Sequence, residues 1–405
     1  MSKNGFYIDS IKNESNKTIV EWHYNGKLQI KISEPLWITP NCRNVHEAHS
    51  FILSVFLPIA SAVGEAVVFQ EPISSSVVDF WTKKFVHLSE FFLEPLKVDI
   101  FPQEKSIISY ENLNKKALLM GGGSDSCSSL IRMIEMGEKP VLARIVEDGI
   151  EDGVFKPDEF CLARSYLKNI SEKFGLEIAS STTNATRILI SLFNPIREKL
   201  NCENFWLIRM SNRNRNSLIV LSYLFFGFIY FFSALASLPE NISSISMGSS
   251  LDDCAEWFGM GFNYNNTLSY LGLSLESFIW PSKISQYDYI NKNAPEFFNW
   301  QKTCPTRPKN DTQWCGICHQ CQVSYVMFVA CGHKPPFPKV SSISDKCCSL
   351  REQDIRKIMN AYIHYMKGQD KDQTIIEDIQ EALLNVRDQV DKRALLEIFN
   401  TKKIK

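Results

Sequence analysis

Two stretches near the amino terminus, Phe6 to Ile11 and Lys17 to Ser33, alternate polar and apolar residues as half-buried strands do, and Asn25-Gly26 predicts a turn within the second. Longer apolar runs at Ser50 to Phe69 and Val77 to Leu93 suit helices or buried strands laid over a sheet. Phe101 to Lys105 reads as a junction. After it come short apolar runs at Lys116 to Met120, Val141 to Val146 and Leu176 to Ser180, separated by helical patterns at Cys127 to Met136 and Glu159 to Phe174. Such alternation predicts a parallel sheet wrapped by helices. A further strand is expected at Ile242 to Met247, then a polar loop at Gly248 to Asp253. Beyond Ser349 the period becomes helical. Ile355, Ile358, Met359, Tyr362 and Met366 share one face, Ile379, Leu383, Val386 and Val390 another, and Ser349 with Glu352 forms a capping box. The expected class is α/β: an N-terminal α+β domain at 1–110, a parallel-sheet domain at 111–340 and a helical C-terminal subdomain at 341–405.

One run complicates this picture. Leu218 to Leu238 holds 21 residues without a formal charge and follows Arg209, Arg213 and Arg215, the pattern of a membrane span with a basic flank. The strand at Ile242 must rejoin the sheet that carries Lys116 to Met120, which a membrane crossing would prevent, so a buried helix is expected and no membrane partner. At 405 residues the chain has room for two or three domains, and 44 Lys and Arg against 45 Asp and Glu leave no basic footprint for nucleic acid. Met1 to Ser10 lacks a basic stretch followed by an apolar core, so a cytoplasmic location is expected, with the twelve cysteines mostly reduced.

Two motifs carry chemistry. Gly121-Gly122-Gly123-Ser124-Asp125-Ser126 stands straight after an apolar strand and straight before a helix. Consecutive glycines let backbone amides approach an anion without Cβ clashes, Ser124 and Ser126 add hydroxyl donors, and Asp125 is a candidate for holding magnesium. No Gly-Lys-Ser/Thr ends the loop, which excludes a Walker A site. The second motif is Cys304, Cys315, Cys318 and Cys321, four cysteines within 18 residues with the last three spaced Cys-x2-Cys-x2-Cys. Four thiolates close a tetrahedral zinc site, and the same spacing also serves iron–sulfur clusters.

The glycine loop resembles the Ser-Gly-Gly-x-Asp-Ser signature of PP-loop (adenine nucleotide alpha-hydrolase-like) enzymes, with Gly121 where that signature has its first serine. Together with the cysteine cluster it looks like the QueC (7-cyano-7-deazaguanine synthase-like) family. Arg215-Asn216-Ser217-Leu218 resembles that family's Arg-Asn-Thr-Leu element, Gly248 to Asp252 its Gly-x-x-x-x-Asp loop, and Trp280 to Ile284 the segment in which a lysine precedes a helix. The match covers about residues 115 to 330. The family's Tyr-Pro-Asp-Cys-Arg run has no counterpart in Cys254 to Asn266, and the added 1–110 region and tail look more like the QueC-like proteins of bacterial anti-phage systems, the QatC branch of the Qat system above all. The resemblance implies an enzyme that binds ATP on Gly121 to Ser126, with magnesium and a zinc site, and adenylates a deazapurine carboxylate, 7-carboxy-7-deazaguanine. It implies catalytic roles for Asp125, Arg215 and Lys283, and a partner protein whose amino group accepts the acyl group. The alternatives are 7-cyano-7-deazaguanine synthesis itself, with ammonia as the amine, and a nucleotide-binding scaffold without catalysis.

Overall fold

The computed structural model describes residues 4–89, 99–106, 109–110, 113–147, 160–199, 227–250, 268–301, 314, 319–337, 352–367, 373, 375–377 and 379. Its frame is an eleven-stranded mixed sheet in the order β10-β11-β9-β6-β7-β8-β3-β2-β1-β4-β5. The strands are β1 (Gly5–Glu14), β2 (Lys17–Asn25), β3 (Leu36–Thr39), β4 (Ala66–Ser74), β5 (Asp99–Glu104), β6 (Lys115–Leu119), β7 (Val141–Glu147), β8 (Ile178–Thr183), β9 (Ile242–Ser250), β10 (Leu268–Tyr270) and β11 (Leu273–Trp280). Strands β8, β7, β6 and β9 are mutually parallel, as the alternating pattern predicts, and β11, which that pattern does not predict, continues them.

Helices cover both faces. On one lie α1 (Val45–Val63), α2 (Ser75–Ser89), α5 (Ala185–Lys199) and α6, over 227–235; on the other lie α3 (Ser124–Glu135), α4 (Phe160–Phe174), α7 (Lys283–Asn293), α8 (His319–Ala330) and α9 (Glu352–Met366). The period-2 pleat sorts each strand between the two cores. Ala117 and Leu119 of β6 join the first core while Leu118 joins the second, and in β7 Val141 and Ala143 part from Leu142 in the same way. Phe228, Phe231 and Phe232 of α6 are fully or almost fully buried, with the rings of Phe228 and Phe232 against Phe80, Trp81 and Tyr270. The described half of the long apolar run is therefore core, and among the described residues no helix is long and apolar enough to cross a membrane. Ile358 and Tyr362 of α9 are buried against the second core, with Met359 and Met366 beside them. Ser349, Leu383, Val386 and Val390 lie outside the described residues.

The boundary expected near residue 110 is not a break in the sheet. Strand β3 pairs antiparallel with β8 through Ile38 opposite Thr183 and Thr39 opposite Thr182. Asn184 fastens the seam, accepting from the Trp37 amide at 2.9 Å and donating to the Pro35 carbonyl at 2.9 Å. The expected junction at Phe101 to Lys105 is mostly strand β5, which tolerates Pro102 because it is the edge of the sheet and needs no donor on its outer side. The expected turn at Asn25-Gly26 marks the end of β2, where the chain bends over 26–28 and reverses into β3, but 29–33 form no second strand half. A separate hairpin joins β1 to β2 at Ser15-Asn16, with Ser15 at φ 56°, and Glu65 and Tyr24 hold the chain after Gly26. Glu65 accepts from the Tyr24 hydroxyl (2.7 Å) and the Lys27 amide (2.9 Å), and the Tyr24 hydroxyl accepts from the Leu28 amide at 2.9 Å.

Helix α1 begins at Asn44, whose side chain accepts from the His46 and Glu47 amides, and stops at Gly64 in the left-handed region at φ 69°. Inside it His49 is 3% exposed, edge-on to Phe69, with an unpartnered Nδ1. Burial, with a smaller push from His46, lowers its pKa from 6.5 to about 4. The unfolded chain thus takes up this proton first, so stability falls as pH drops from 6.5 toward 4 and levels off below that. In denaturant titrations across that window, His49→Phe is expected to flatten this part of the stability profile; an unchanged slope would show that His49 does not cause it.

Candidate functional site

The path of the chain creates a point where neighbouring connections diverge. From β6 the chain runs through α3, β7, α4 and β8, each strand added on the same flank. Strand β9 then pairs on the opposite flank of β6, parallel to it, with Leu118 opposite Ser246. In open parallel sheets, ligands bind outside the carboxyl ends of two such strands, because connections leaving in opposite directions keep the crevice open. Gly121, Gly122 and Gly123 leave β6 at this point, and β9 ends beside them. The first three residues of the loop expected at Gly248 to Asp253 are instead strand: β9 continues to Ser250, with Gly248 opposite Phe278 and Ser250 opposite Trp280 of β11, and 251–253 lie outside the described residues.

Each glycine has its own reason. Gly122 adopts φ +81°, and a Cβ there would fall 2.6 Å from the Tyr166 ring, whose hydroxyl donates to the Met120 carbonyl at 3.2 Å. Gly123 is the N-cap of α3, extended at φ −79° and ψ 171°, and offers no side-chain cap to the helix amides. The start of α3 is therefore an uncapped set of N–H donors of the kind that suits a phosphate. Gly121 is different, since a Cβ there would meet nothing within 4 Å. Its lack of a serine hydroxyl is thus a chemical choice that packing does not impose.

The side chains at the loop are wired to one another. Lys283, the first residue of α7, sits behind the Ser282 capping box and places Nζ 2.5 Å from Asp125 Oδ2. Gln286, one turn later and fully buried, donates Nε2 to Asp125 Oδ1 at 2.6 Å and to the Ser249 carbonyl at 3.2 Å. Its Oε1 accepts from the Ser124 hydroxyl at 3.1 Å. The Ser126 hydroxyl donates to the Gly123 carbonyl at 3.1 Å and accepts from the Gly122 amide at 3.2 Å. Both serine hydroxyls expected to face a ligand thus donate inward; among the described residues the uncapped amides of α3 remain as donors for an anion, beside the Lys283 ammonium that is paired with Asp125. Both Asp125 oxygens are engaged, Oδ2 by Lys283 and Oδ1 by Gln286. Cys127 is inert: burial, then the charge of Asp125, pushes its thiol far above the usual range.

Of the residues expected at the site, Gly121 to Ser126 and Lys283 come together. Arg215 lies outside the described residues, as do Cys304, Cys315 and Cys318. Cys321 lies in the first turn of α8, fully buried and in no disulfide. It sits one helix from the loop: α7 reaches the loop through Lys283 and Gln286, and reaches α8 through Tyr287, whose hydroxyl donates to Ser324 at 3.1 Å. Among the described residues no three His, Cys, Asp or Glu side chains gather as metal ligands, so zinc rests on the spacing of the four cysteines alone. Gln286 was missed by the sequence reading. Its signal is a polar residue within a helix face otherwise made of Ile284, Tyr287 and Ile290. No protein-family model matches the chain, and no curated protein or solved structure matches it.

Proposed function

We propose that the chain binds ATP at Gly121 to Ser126, adenylates a deazapurine carboxylate such as 7-carboxy-7-deazaguanine, and passes the acyl group to an amine of a partner protein in anti-phage defence. The observation that carries this reading is the uncapped start of α3 at the carboxyl end of β6, with Lys283 and Asp125 paired beside it. A carboxylate is a poor electrophile. In the proposed first step its oxygen bonds to the α-phosphorus while the bond to the departing pyrophosphate breaks, and the loop amides and Lys283 take up the charge that leaves. An amine then attacks the acyl carbon, AMP departs with the electron pair, and the amine nitrogen loses a proton. Asp125 would hold magnesium on that pyrophosphate, and four thiolates at Cys304, Cys315, Cys318 and Cys321 would fix the chain around a zinc ion.

A second reading, a nucleotide-binding scaffold, has specific support in Gly121 and in the inward-donating Ser124 and Ser126 hydroxyls. Exchange of labelled pyrophosphate into ATP separates the two. Adenylation predicts exchange only when the deazaguanine acid is present, whereas the scaffold predicts ATP binding with no exchange at all. Mass spectrometry of a co-expressed partner tests the acceptor, with a mass gain of one acyl group expected.

A further inference from the structure

We propose that Gln286 is a positioning residue of this site, holding Asp125 and Ser124 in register with the end of β9; the inference rests on the nucleotide reading above. Its orientation is dictated by chemistry. Asp125 Oδ1 and the Ser249 carbonyl are both acceptors, so the nitrogen of the side-chain amide must face them and its oxygen must face the Ser124 hydroxyl. Both amide protons are consumed and the group is fully buried, so nothing in this network turns without breaking a bond that water cannot replace.

The division of labour with Lys283 follows from exposure. The Lys283 side chain is 12% exposed and that of Asp125 27%, so this ion pair meets the crevice, whereas Gln286 lies entirely behind it. A phosphate entering the crevice competes with Asp125 for the ammonium of Lys283. Gln286 has no such competitor. It therefore keeps the Asp125 carboxylate aimed while Lys283 changes partner, and it joins the first turn of α3 to the last residues of β9 on either side of the crevice.

The test compares Gln286→Leu and Gln286→Glu with the wild-type full chain, reading magnesium-dependent ATP–pyrophosphate exchange, ATP affinity and thermal unfolding. For Gln286→Leu the exchange kcat is expected to fall on the order of 10²-fold, as small displacements of reacting groups do, with ATP affinity nearly unchanged because backbone amides hold the phosphates. Gln286→Glu places a second buried carboxylate against Asp125, which raises the proton affinity of the pair. Only its protonated form donates to Asp125 while accepting from Ser124, so its exchange is expected to recover as pH falls, displacing the pH profile toward acid. Loss of exchange in step with thermal stability, with no such displacement, would mean that Gln286 is structural only and would overturn the proposal. Wild-type exchange with an equally active Gln286→Leu overturns it while leaving the nucleotide reading intact. A wild-type chain that neither binds nor exchanges ATP overturns both.

Discussion

Gly248→Ala is expected to damage the fold and the loop together. A Cβ at this position would lie 2.1 Å from the Asp125 carbonyl oxygen and 2.6 Å from Ser129 Oγ. The first obstacle is backbone, which no rotamer change relieves, so α3 must back away from β9. Overpacking of this kind costs about 1–3 kcal/mol, and the rigid partners here put the expected loss at the upper end. The movement also separates Asp125 and Ser124 from Gln286, since α7 and β9 stay where their own contacts hold them. Chemical denaturation should show a lowered midpoint with an unchanged slope, and ATP–pyrophosphate exchange should fall further than stability alone explains. An alanine variant as stable as the parent would show that α3 is not seated against Gly248. Gly121→Ser is the matched control, because a side chain there meets open space and should leave stability unchanged.

The contrast between these two glycines marks what was readable in the sequence. The tri-glycine run announces itself by composition, and its place after an apolar strand suffices to predict a loop feeding a helix. Gly248 sits inside a strand, and its reason for being glycine is a helix more than a hundred residues away in sequence. The sheet around the loop was legible for a similar reason: each β-α-β unit of β6, β7 and β8 is local, and its hydrophobic runs are short and separated by helical periods. The seam between β3 and β8 was not. Strand β3 is four residues long, and its partner is chosen by Thr183 and Asn184, which look like ordinary loop polar residues in sequence. The site divides along the same line. Gly121 to Ser126 and Lys283 could be nominated by type and position, but that the Ser124 hydroxyl donates inward to Gln286, and that Asp125 faces the same side chain, depends on α7 crossing α3. Such contacts leave no trace in local periodicity beyond one polar residue on an apolar face.

The seam has a counterpart on the helical side, and it yields the largest stability effect expected outside the loop. Glu47 in the first turn of α1 is 1% exposed. It accepts from Arg43 Nη2 at 2.5 Å and Nε at 2.8 Å, and from the Tyr110 hydroxyl at 2.7 Å. Burial, and then the charge of Glu47, raises the pKa of Tyr110, which keeps its hydroxyl protonated as the donor. Arg43 Nη1 continues to the Pro239 carbonyl at 3.0 Å, and the Tyr110 amide to the Leu271 carbonyl at 2.8 Å. The cluster thus ties α1 to the segments that lead into β6 and β9, the two strands that flank the candidate site. Glu47→Ala removes the one anion and leaves a guanidinium and a hydroxyl buried without it, a change that costs about 3–5 kcal/mol in comparable buried pairs. Because two buried charges are also expensive to desolvate, the double variant Arg43→Met, Glu47→Leu is expected to be more stable than Glu47→Ala alone. Urea unfolding of wild type, Arg43→Met, Glu47→Leu and the double variant measures the coupling. A Glu47→Ala chain within about 1 kcal/mol of wild type, the range of exposed ion pairs, would mean that water reaches the cluster and that it does not clamp α1 to the strands of the site.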